Sequence, residues 1–366
     1  MNDRPFVSVM IPMRNEATSI SRCLDSVLAQ DYPADRFEVL VVDGASTDGS
    51  DALIARYAER DPRVRLLRNP HRIVPSALNI AIRAARGDVI MRVDGHTRIA
   101  PDYMRTGVDA LRRTGADNVG GPMHAVGGGV IGDAIALATS SRFGIGSYFH
   151  YGREEAEADT VYMGMFSRHA FERVGLFDEE MVRNQDDEFN YRLRKAGGRI
   201  VLTPAMRSSY QNRQSLTALA KQYAQYGFWK VRVLQKHPAQ MSARHFVPPA
   251  LVHGLLLPLC AAPWLPALLL VTLAQVVIYL LAVSVVSARI ARRERGDLFV
   301  PLVATFATLH LSWGSGFAAG MVRFASRWLT PEPAAPQLTA PAQSDDDDPQ
   351  HTSERLASPR RASSGG

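Results

Sequence analysis

The chain has 366 residues, which suggests one large domain or two modest ones with a full hydrophobic core. Its net charge of +6 is mild, and much of the positive excess lies near apolar segments, so an anionic membrane surface explains it better than nucleic acid does. The two cysteines, Cys23 and Cys260, are far apart in unlike segments, which predicts neither a disulfide nor a zinc site.

The N-terminus carries charges and leads directly into a strand-like segment, so we expect no secretory signal and an N-terminal domain in the cytoplasm. Runs rich in Val and Ile lie at residues 6–12, 37–43, 64–67 and 88–94, as in buried parallel strands. Helical patterns separate these runs, and Pro75 opens one helix that should end near Gly87. This order predicts an α/β fold with a doubly wound, mostly parallel sheet, whose ligands bind at the carboxyl ends of its strands.

Polar motifs follow three of these strands. The first is the run P-M-R-N-E at residues 12–16, which could equally cap a helix through Asn15 and Glu16. Asp43 ends the second strand, where an acidic residue often binds a ribose or base edge, whereas Asp48 suits a structural turn. Asp94 and His96 surround a glycine and could bind one divalent ion that bridges a diphosphate, although a turn capped by Asp94 is the alternative.

Two further segments precede residue 200. Gly164 lies in the strand-like run 161–166, where a glycine lets the backbone approach a ligand closely, although a plain strand is nearly as good an interpretation. Asp186 and Asp187 begin a helix that ends at Gly197 and Gly198. Acidic residues stabilise any helix start, but paired carboxylates can also raise each other's pKa, which suits a general base.

An amphipathic helix is predicted before the apolar C-terminal half. Apolar residues recur there at heptad-like spacing from Leu216 to Val233, with Lys221, Lys230, Arg232 and Lys236 interspersed. A helix lying in a membrane interface has this pattern, and a packed core helix is the alternative.

No Asp, Glu, Lys or Arg occurs in residues 246–288 or in residues 298–322. The first run is long enough for two membrane spans of about 20 residues and the second for a third, although a buried helical hairpin is the soluble alternative. The arginine-rich loop 289–297 should be cytoplasmic by the positive-inside rule. A third span would then put the tail outside, unless the glycine-containing segment 298–322 is re-entrant.

We therefore expect four parts. They are an N-terminal domain at residues 1–210, an amphipathic interface segment at 211–245, a membrane-embedded region of about three helices at 246–324, and a disordered tail at 325–366. The tail is rich in Pro, Ala and Ser and cannot bury a core.

Three runs, taken together in this order and spacing, resemble the family 2 glycosyltransferases with the GT-A fold. They are V-S-V-M-I-P-M-R-N-E, V-V-D-G-A-S-T-D-G-S and A-L-N-I-A-I-R-A-A-R-G-D-V-I-M-R-V-D-G-H. The resemblance covers about residues 5–235. More narrowly, the chain is similar to succinoglycan-type exopolysaccharide glucosyltransferases.

The resemblance implies a nucleotide-sugar site made by Pro12, Asn15, Glu16, Asp43 and Asp94. Asp43 matches the aspartate that reads the donor base, usually uracil, and Asp94 matches the first aspartate of the metal-binding D-x-D pattern. His96 replaces the second aspartate, so its role as a direct ligand of Mn²⁺ or Mg²⁺ stays open. Charge and position alone suggest that Arg72 approaches the diphosphate.

The same resemblance assigns the acceptor side. Asp186 falls on the catalytic base and is favoured over Asp187, with Gln185 replacing the usual glutamate. Gly164, Asp187 and Trp229 are assigned to the donor-sugar and acceptor region. Processive members carry Q-x-x-R-W near Trp229, and this chain has Phe228 where the arginine belongs, which argues against a processive polysaccharide synthase.

The implied function is inverting transfer of glucose or another hexose from a UDP-sugar to a polyprenyl-diphosphate-linked saccharide in bacterial exopolysaccharide biosynthesis. The catalytic domain would lie on the cytoplasmic side of the inner membrane, in contact with membrane lipids and other polysaccharide-assembly enzymes. An inactive nucleotide-sugar-binding scaffold is the alternative from another class, and the retained Asp43, Asp94 and Asp186 argue against it. A sugar-nucleotide pyrophosphorylase is disfavoured because no G-x-G-T-R-L-type loop occurs.

Overall fold

The computed structural model describes residues 4–144, 150, 152–330 and 335–338. The strands, in chain order, are β1 (Val7–Met13), β2 (Phe37–Asp43), β3 (Val64–Arg68), β4 (Val89–Arg92), β5 (Thr97–Ile99), β6 (Asn118–Gly121), β7 (Ala125–Val126), β8 (Ala156–Glu157), β9 (Tyr162–Ser167), β10 (Ile200–Leu202) and β11 (Ser208–Gln211). The helices are α1 (Ile20–Leu28), α2 (Ser50–Arg60), α3 (Val74–Ala84), α4 (Tyr103–Thr114), α5 (Gly129–Thr139), α6 (Arg168–Val174), α7 (Gln185–Lys195), α8 (Leu216–Lys236), α9 (Ala243–Ala261), α10 (Leu268–Arg293) and α11 (Phe299–Arg323).

An eight-stranded sheet forms the centre of the N-terminal domain, in the order β3-β2-β1-β4-β9-β6-β10-β8. The strands β1 to β4 are parallel, β6 and β10 run the same way, and β9 and β8 run antiparallel to their neighbours. The predicted doubly wound, mostly parallel sheet is therefore confirmed, with a mixed second half. A separate three-stranded sheet has the order β5-β11-β7.

Both faces of the large sheet are covered by helices. Alternate residues of the first strands pack on one side against α1, α2 and α4, as Val9 and Val39 do. The residues between them, such as Met10 and Leu40, pack on the other side against α3, α6 and α7. This two-sided burial explains the nearly continuous apolar runs in the sequence and leaves the strand ends as the exposed edge.

Two predicted elements are shorter than expected, for local reasons. α3 ends at Ala84, before the predicted Gly87, because the backbone N–H groups of Arg86 and Gly87 donate to the Ser8 hydroxyl instead of continuing the helix. β4 ends at Arg92 because the next residues form a turn, in which the Thr97 N–H donates to the Asp94 carbonyl at 2.9 Å.

The helix predicted as an amphipathic interface segment is α8, and its charges lie differently from that expectation. Lys230 and Arg232 are almost fully buried. Arg232 pairs with Glu180 at 3.0 Å, and Lys236 pairs with both Asp178 and Glu180 at 2.8 Å. The C-terminal half of α8 thus matches the packed alternative, because its cations face acidic residues of the N-terminal domain.

Three helices occupy the region predicted to be membrane-embedded. By length and composition, α10 and the segment Gly296–Arg323 could each cross a membrane. α9 contains the interior prolines Pro248, Pro249 and Pro258. α11 runs parallel to α8, and the two helices are in close contact. A Cβ on Gly316 would collide with the carbonyl of Ala224, so the glycine is what allows this contact.

Most of the predicted disordered tail lies outside the described residues. Within residues 325–366, the segment Ala325–Leu329 forms a short 3-10 helix. Residues 335–338 return to the N-terminal domain, where the Pro336 carbonyl accepts a hydrogen bond from the Leu176 N–H at 2.7 Å. Leu338 packs against the sheet face that carries α3 and α7.

We expect Glu180→Gln to lower the free energy of unfolding at neutral pH by about 3 kcal/mol, because it leaves buried cations under-compensated. Burial alone would raise the pKa of Glu180, but hydrogen bonds from Arg232 and Lys236 outweigh it and lower the pKa from 4.5 to about 2. The ionised carboxylate therefore stabilises the fold above about pH 4.5, and this contribution is lost as the pH falls toward about 2.

Thermal unfolding of the wild type and of Glu180→Gln in detergent, followed across pH, measures this difference. It should be constant at neutral pH and shrink below about pH 4.5. Glu172→Gln, at an exposed position on α6, is the matched control and should behave like the wild type. A difference for Glu180→Gln that grows as the pH falls would contradict the ion-pair account.

Candidate active site

Loops at the carboxyl ends of β1 and β2 are tied together by hydrogen bonds. Asn15 donates its backbone N–H to the Ser46 hydroxyl at 2.9 Å and accepts at its side-chain oxygen from the Thr47 N–H at 2.8 Å. The Ala17 N–H donates to Asp48 at 3.0 Å, and Asp48 also accepts from the Ser50 N–H, which fits its structural interpretation. The first two motifs of the sequence therefore form one surface.

Asp43 lies at the end of β2 on this surface. It is buried, and its carboxylate accepts hydrogen bonds from the Ser46 hydroxyl at 2.6 Å and from the Ser46 N–H at 3.1 Å. Pro12 and Met13 end the neighbouring strand, with Met13 opposite Asp43 in the sheet register. The aspartate is thus held in one orientation beside the β1 loop.

The third motif closes on the first. A Cβ on Gly95 would lie only 3.3 Å from the Cβ of Met13, so the turn after β4 packs tightly on the end of β1. His96 Nδ1 lies 3.2 Å from Glu16 Oε1. Burial alone would lower the pKa of His96, but the hydrogen bond to Glu16 and the charge of Asp94 raise it above its usual value.

The contact between His96 and Glu16 shifts the pKa of Glu16 downward. Burial alone would raise the pKa of the Glu16 carboxyl, but hydrogen bonds from His96 and from the Ser19 hydroxyl outweigh it and lower the pKa. Glu16 is therefore anionic at neutral pH. It lies beside the positions expected to bind metal and diphosphate.

A buried arginine joins the third motif to the acidic start of α7. Arg92, at the end of β4, donates through Nε to Asp94 at 2.8 Å and through Nη1 to Asp186. Burial disfavours the charged guanidinium, but Asp186 and Asp94 raise the pKa of Arg92, so it stays protonated. The two aspartates expected to serve donor and acceptor therefore contact one side chain.

Asp186 and Asp187 have different environments. The Asp186 side chain is 42% exposed, and partial burial, Asp94 and Asp187 raise its pKa although Arg92 opposes them. Burial would also raise the pKa of Asp187, but Lys230, at 2.8 Å, lowers it. Asp186 is therefore the more basic and the somewhat more exposed carboxylate, and both are in ion pairs, Asp186 with Arg92 and Asp187 with Lys230.

The side chains near Asp94 suit a divalent cation only in part. Among the described residues, no three His, Cys, Asp or Glu side chains are arranged to hold a metal by themselves. Asp94 offers carboxylate oxygen, and the nitrogen of His96 that faces away from Glu16 offers a second ligand type; Mn²⁺ accepts both. A pair of this kind leaves most coordination positions to other oxygens, such as those of a diphosphate.

Backbone strain is concentrated at this edge. Within the described part of the chain, the non-glycine residues with positive φ are Asn15 (56°), Ala45 (57°), Arg72 (60°), Met163 (48°) and Asn184 (62°). They lie in the loops after β1, β2 and β3, in β9 beside Asp94, and directly before α7. Strained conformations persist where the surrounding structure holds them, which is common at functional sites.

The remaining predicted residues lie in three places. Arg72 is exposed in the loop after β3, at the same sheet edge as Asp43. Gly164 is buried in β9, where a Cβ would collide with the Asn118 side chain and the Phe166 ring, so packing explains this glycine. Trp229, on α8, packs against Phe324, with ring centroids 5.5 Å apart and the ring planes tilted by 45°.

Trp229 also borders a cavity of about 490 Å³ between α8, α11 and the residues that precede α7. Its lining is mostly apolar and consists of Val182, Arg183, Lys221, Ala224, Gln225, Phe228, Trp229, Gly316 and Ala319. Arg183 donates to Gln225 at 3.1 Å, and Lys221 is exposed. Two cations, Arg183 and Lys221, line the cavity. Arg183 precedes Asp186 by three residues in the chain.

Several of these residues were not found by sequence reasoning. Arg92 ends an apolar strand, and a charged residue in a buried strand requires a partner, so its position was a usable signal. Lys230 and Arg183 gave no such signal, because their partners are distant in the sequence.

The family comparison agrees with the motifs. Residues 8–175 match the model of the glycosyl transferase family 2. The chain is 32% identical to the succinoglycan biosynthesis protein ExoA of Rhizobium meliloti (strain 1021), over 87% of this chain and 96% of that protein. It is 26% identical, over 87% of this chain and 98% of the relative, to a dolichyl N-acetyl-alpha-D-glucosaminyl phosphate glucuronosyltransferase of Methanococcus voltae that transfers a diacetamido sugar.

Solved structures share the fold. The mannosyltransferase PcManGT from Pyrobaculum calidifontis, in complex with GDP-Man and Mn²⁺, superposes with a TM-score of 0.55 at 23% identity over 87% of this chain and 88% of that one. TarS 1–349 of S. aureus, in complex with UDP-GlcNAc, superposes with a TM-score of 0.52 at 18% identity, over 86% of this chain and 92% of that one. These similarities show the GT-A fold, and the sequence matches show that the chain belongs to glycosyltransferase family 2.

Proposed function

We propose that this enzyme transfers a hexose from a UDP-sugar to a polyprenyl-diphosphate-linked saccharide during bacterial exopolysaccharide synthesis. The observation that carries the proposal is the pair of contacts through which Arg92 joins Asp94 to the accessible Asp186. A donor-side and an acceptor-side carboxylate thereby meet at one sheet edge. The succinoglycan biosynthesis relative supports the pathway class, and the nucleotide-sugar complexes of the fold neighbours support the donor class.

On the donor side, the base and ribose would lie against Asp43 and the loop that Asn15 and Ser46 hold. The diphosphate would lie at Asp94 and His96, with Arg72 at the same edge. A divalent metal held by Asp94, with His96 beside it, would supply Lewis-acid neutralisation of the leaving diphosphate. Mn²⁺ in the complex of the mannosyltransferase neighbour supports this cofactor class.

On the acceptor side, Asp186 takes the proton of the attacking hydroxyl. The acceptor oxygen forms a bond to the anomeric carbon, the bond from that carbon to the diphosphate oxygen breaks, and the nucleoside diphosphate leaves with the electron pair. The raised pKa of Asp186 makes it a stronger base than an ordinary aspartate. A single displacement with one base inverts the anomeric configuration.

The cavity beside Trp229 supports a lipid-linked acceptor. An apolar lining suits isoprenoid carbons, and the cations Arg183 and Lys221 suit phosphate oxygens. Arg183 lies on the same short segment as Asp186, so a saccharide attached to such a lipid would start close to the base. The long apolar helices support a position at the cytoplasmic face of the inner membrane.

We expect Asp186→Asn to keep donor binding and to lose roughly 10²–10⁴-fold in kcat, the usual contribution of a positioned base. Nucleoside diphosphate release and label entering the lipid fraction measure turnover, and titration with UDP-sugar measures donor affinity. Weakened donor binding with nearly normal turnover would remove Asp186 from the role of base.

We expect Asp94→Ala to abolish the increase in donor affinity that Mn²⁺ produces, with a loss at least as large as the roughly 10–100-fold seen when supporting residues of metal sites are removed. Calorimetric titration of UDP-sugar with and without Mn²⁺ measures it. The control is Asp88→Ala, at an exposed position directly before the start of β4, whereas Asp94 follows its end. This control should bind UDP-sugar like the wild type. An unchanged Mn²⁺ effect in Asp94→Ala would exclude Asp94 from the metal site.

We expect the double variant Arg183→Gln and Lys221→Gln to raise KM for a polyprenyl-diphosphate-linked acceptor roughly 10-fold or more, because two charge-assisted contacts to phosphate are lost. KM for the UDP-sugar should not change. Lys195→Gln, an exposed cation outside the cavity lining, is the control. Equal effects on both substrates, or on neither, would contradict a lipid site in this cavity.

A further inference from the structure

Both ends of α11 are attached to the catalytic domain, the first directly and the second through α8. Before its start, Arg295 donates to Asp133 of α5 at 3.2 Å, and Leu298 is buried in the same cluster as Ile135. At its end, Gln235 of α8 donates to the Phe324 carbonyl at 2.9 Å. A helix that crossed a bilayer would place these two ends on opposite sides.

Between its ends, α11 follows α8 in the same direction. Added Cβ atoms on Gly227, Gly316 and Gly320 would collide with backbone of the other helix, at the carbonyls of Trp313, Ala224 and Phe228 respectively. The two backbones therefore touch over several turns, and neither helix can change depth without the other.

α8 cannot enter the hydrocarbon region of a membrane. It carries Lys230 and Arg232, which are buried and paired with Asp187 and Glu180 of the catalytic domain. A charged residue at the centre of a bilayer is energetically costly, and here the attached domain would have to follow it. The close contact between α8 and α11 extends this exclusion to α11.

The hairpin of α9 and α10 has the opposite character. Only 6% of the apolar stretch of α10 is buried within the protein, against 33% for the segment that contains α11. Leu270, Ile278 and, at the tip, Trp264 are 69%, 67% and 84% exposed. α10 has 26 residues, and its C-terminal part, from Tyr279 onward, packs against α11, so the apolar residues before Tyr279 are the part of α10 offered to a bilayer.

Positively charged residues lie at the end of α10, where the hairpin joins the rest of the protein. Arg289, Arg292 and Arg293 are exposed at the end of α10, next to the loop that Arg295 attaches to α5. Cations at this position attract the anionic headgroups of the cytoplasmic leaflet. The apolar hairpin and its basic base therefore match one leaflet, approached from the side of the catalytic domain.

From these contacts we propose that the α9–α10 hairpin alone enters the lipid bilayer, from the side of the active site, while α11 stays outside the hydrocarbon region between the hairpin and α8. The chain after α11 then lies on the side of the active site. This proposal rests on the membrane anchoring in the proposed function and replaces the expectation of a third span. α11 acts as a spacer that fixes the distance between the active site and the lipid surface.

Cysteine labelling of the full-length chain in its native membrane tests this arrangement. Single cysteines are introduced by Gly296→Cys before α11 and by Ser326→Cys after it, in a Cys260→Ser background that keeps the buried Cys23. Lys195→Cys on α7 marks the side of the catalytic domain. A membrane-impermeant maleimide is applied to spheroplasts and to inside-out vesicles.

We expect all three cysteines to label in inside-out vesicles and to be at least 10-fold less reactive in spheroplasts. Labelling of positions 296 and 326 from opposite sides would overturn the proposal. Pelleting with carbonate-washed membranes is measured in parallel: a protein that does not pellet refutes the membrane anchoring itself. Opposite labelling of a protein that pellets refutes only the arrangement of α11.

Discussion

The ion pairs between α8 and the acidic segment at residues 178–187 are the constraint on which the rest of the structure depends. Arg232 and Lys236 compensate Glu180 and Asp178, and Lys230 compensates Asp187. Because these cations are buried, separating α8 from the catalytic domain would leave charges uncompensated. The helix that begins the C-terminal half is therefore attached to the segment that leads into Asp186, the residue that we propose as the base.

This attachment has consequences on both sides. Toward the active site, Lys230 pairs with Asp187, whereas Asp186 contacts Arg92 and has a pKa that burial and Asp94 raise. On the other side, the glycine contacts between α8 and α11 hold α11 against α8. The same helix borders the cavity that we assign to the acceptor lipid. In the proposed function, α8 therefore supports both the acidic residues of the active site and the cavity for the acceptor lipid.

Sequence reasoning was most successful where local patterns determine structure. The β1 to β4 alternation and the motifs at Asn15, Asp43 and Asp94 follow from strand and turn chemistry, and the structure confirms the predicted α/β fold. Reasoning from the sequence could not find the link from Arg92 to Asp186, because that contact joins residues far apart in the chain. Reasoning from the sequence also placed the cations of α8 at a membrane interface. The spacing of apolar residues does not show whether cations face lipid headgroups or acidic residues of the same protein.

Glycines show a similar limit. Gly164 was assigned to close approach of a sugar, and the structure accounts for it by contact with Asn118 and Phe166. The glycines Gly314, Gly316 and Gly320 left a re-entrant segment open as the alternative to a third span, and in the structure Gly316 and Gly320 lie against the backbone of α8. In both cases only the fold identifies which group lies against the glycine.

The central claim is that one displacement, assisted by Asp186 as the only base, transfers the sugar. The anomeric configuration of the product tests it most directly. A UDP-sugar of defined configuration is supplied with Mn²⁺ and a lipid-linked acceptor, and the new linkage is assigned by proton NMR coupling constants. We predict inversion relative to the donor. Retention would require a covalent intermediate or attack from the leaving-group side, and would contradict the account.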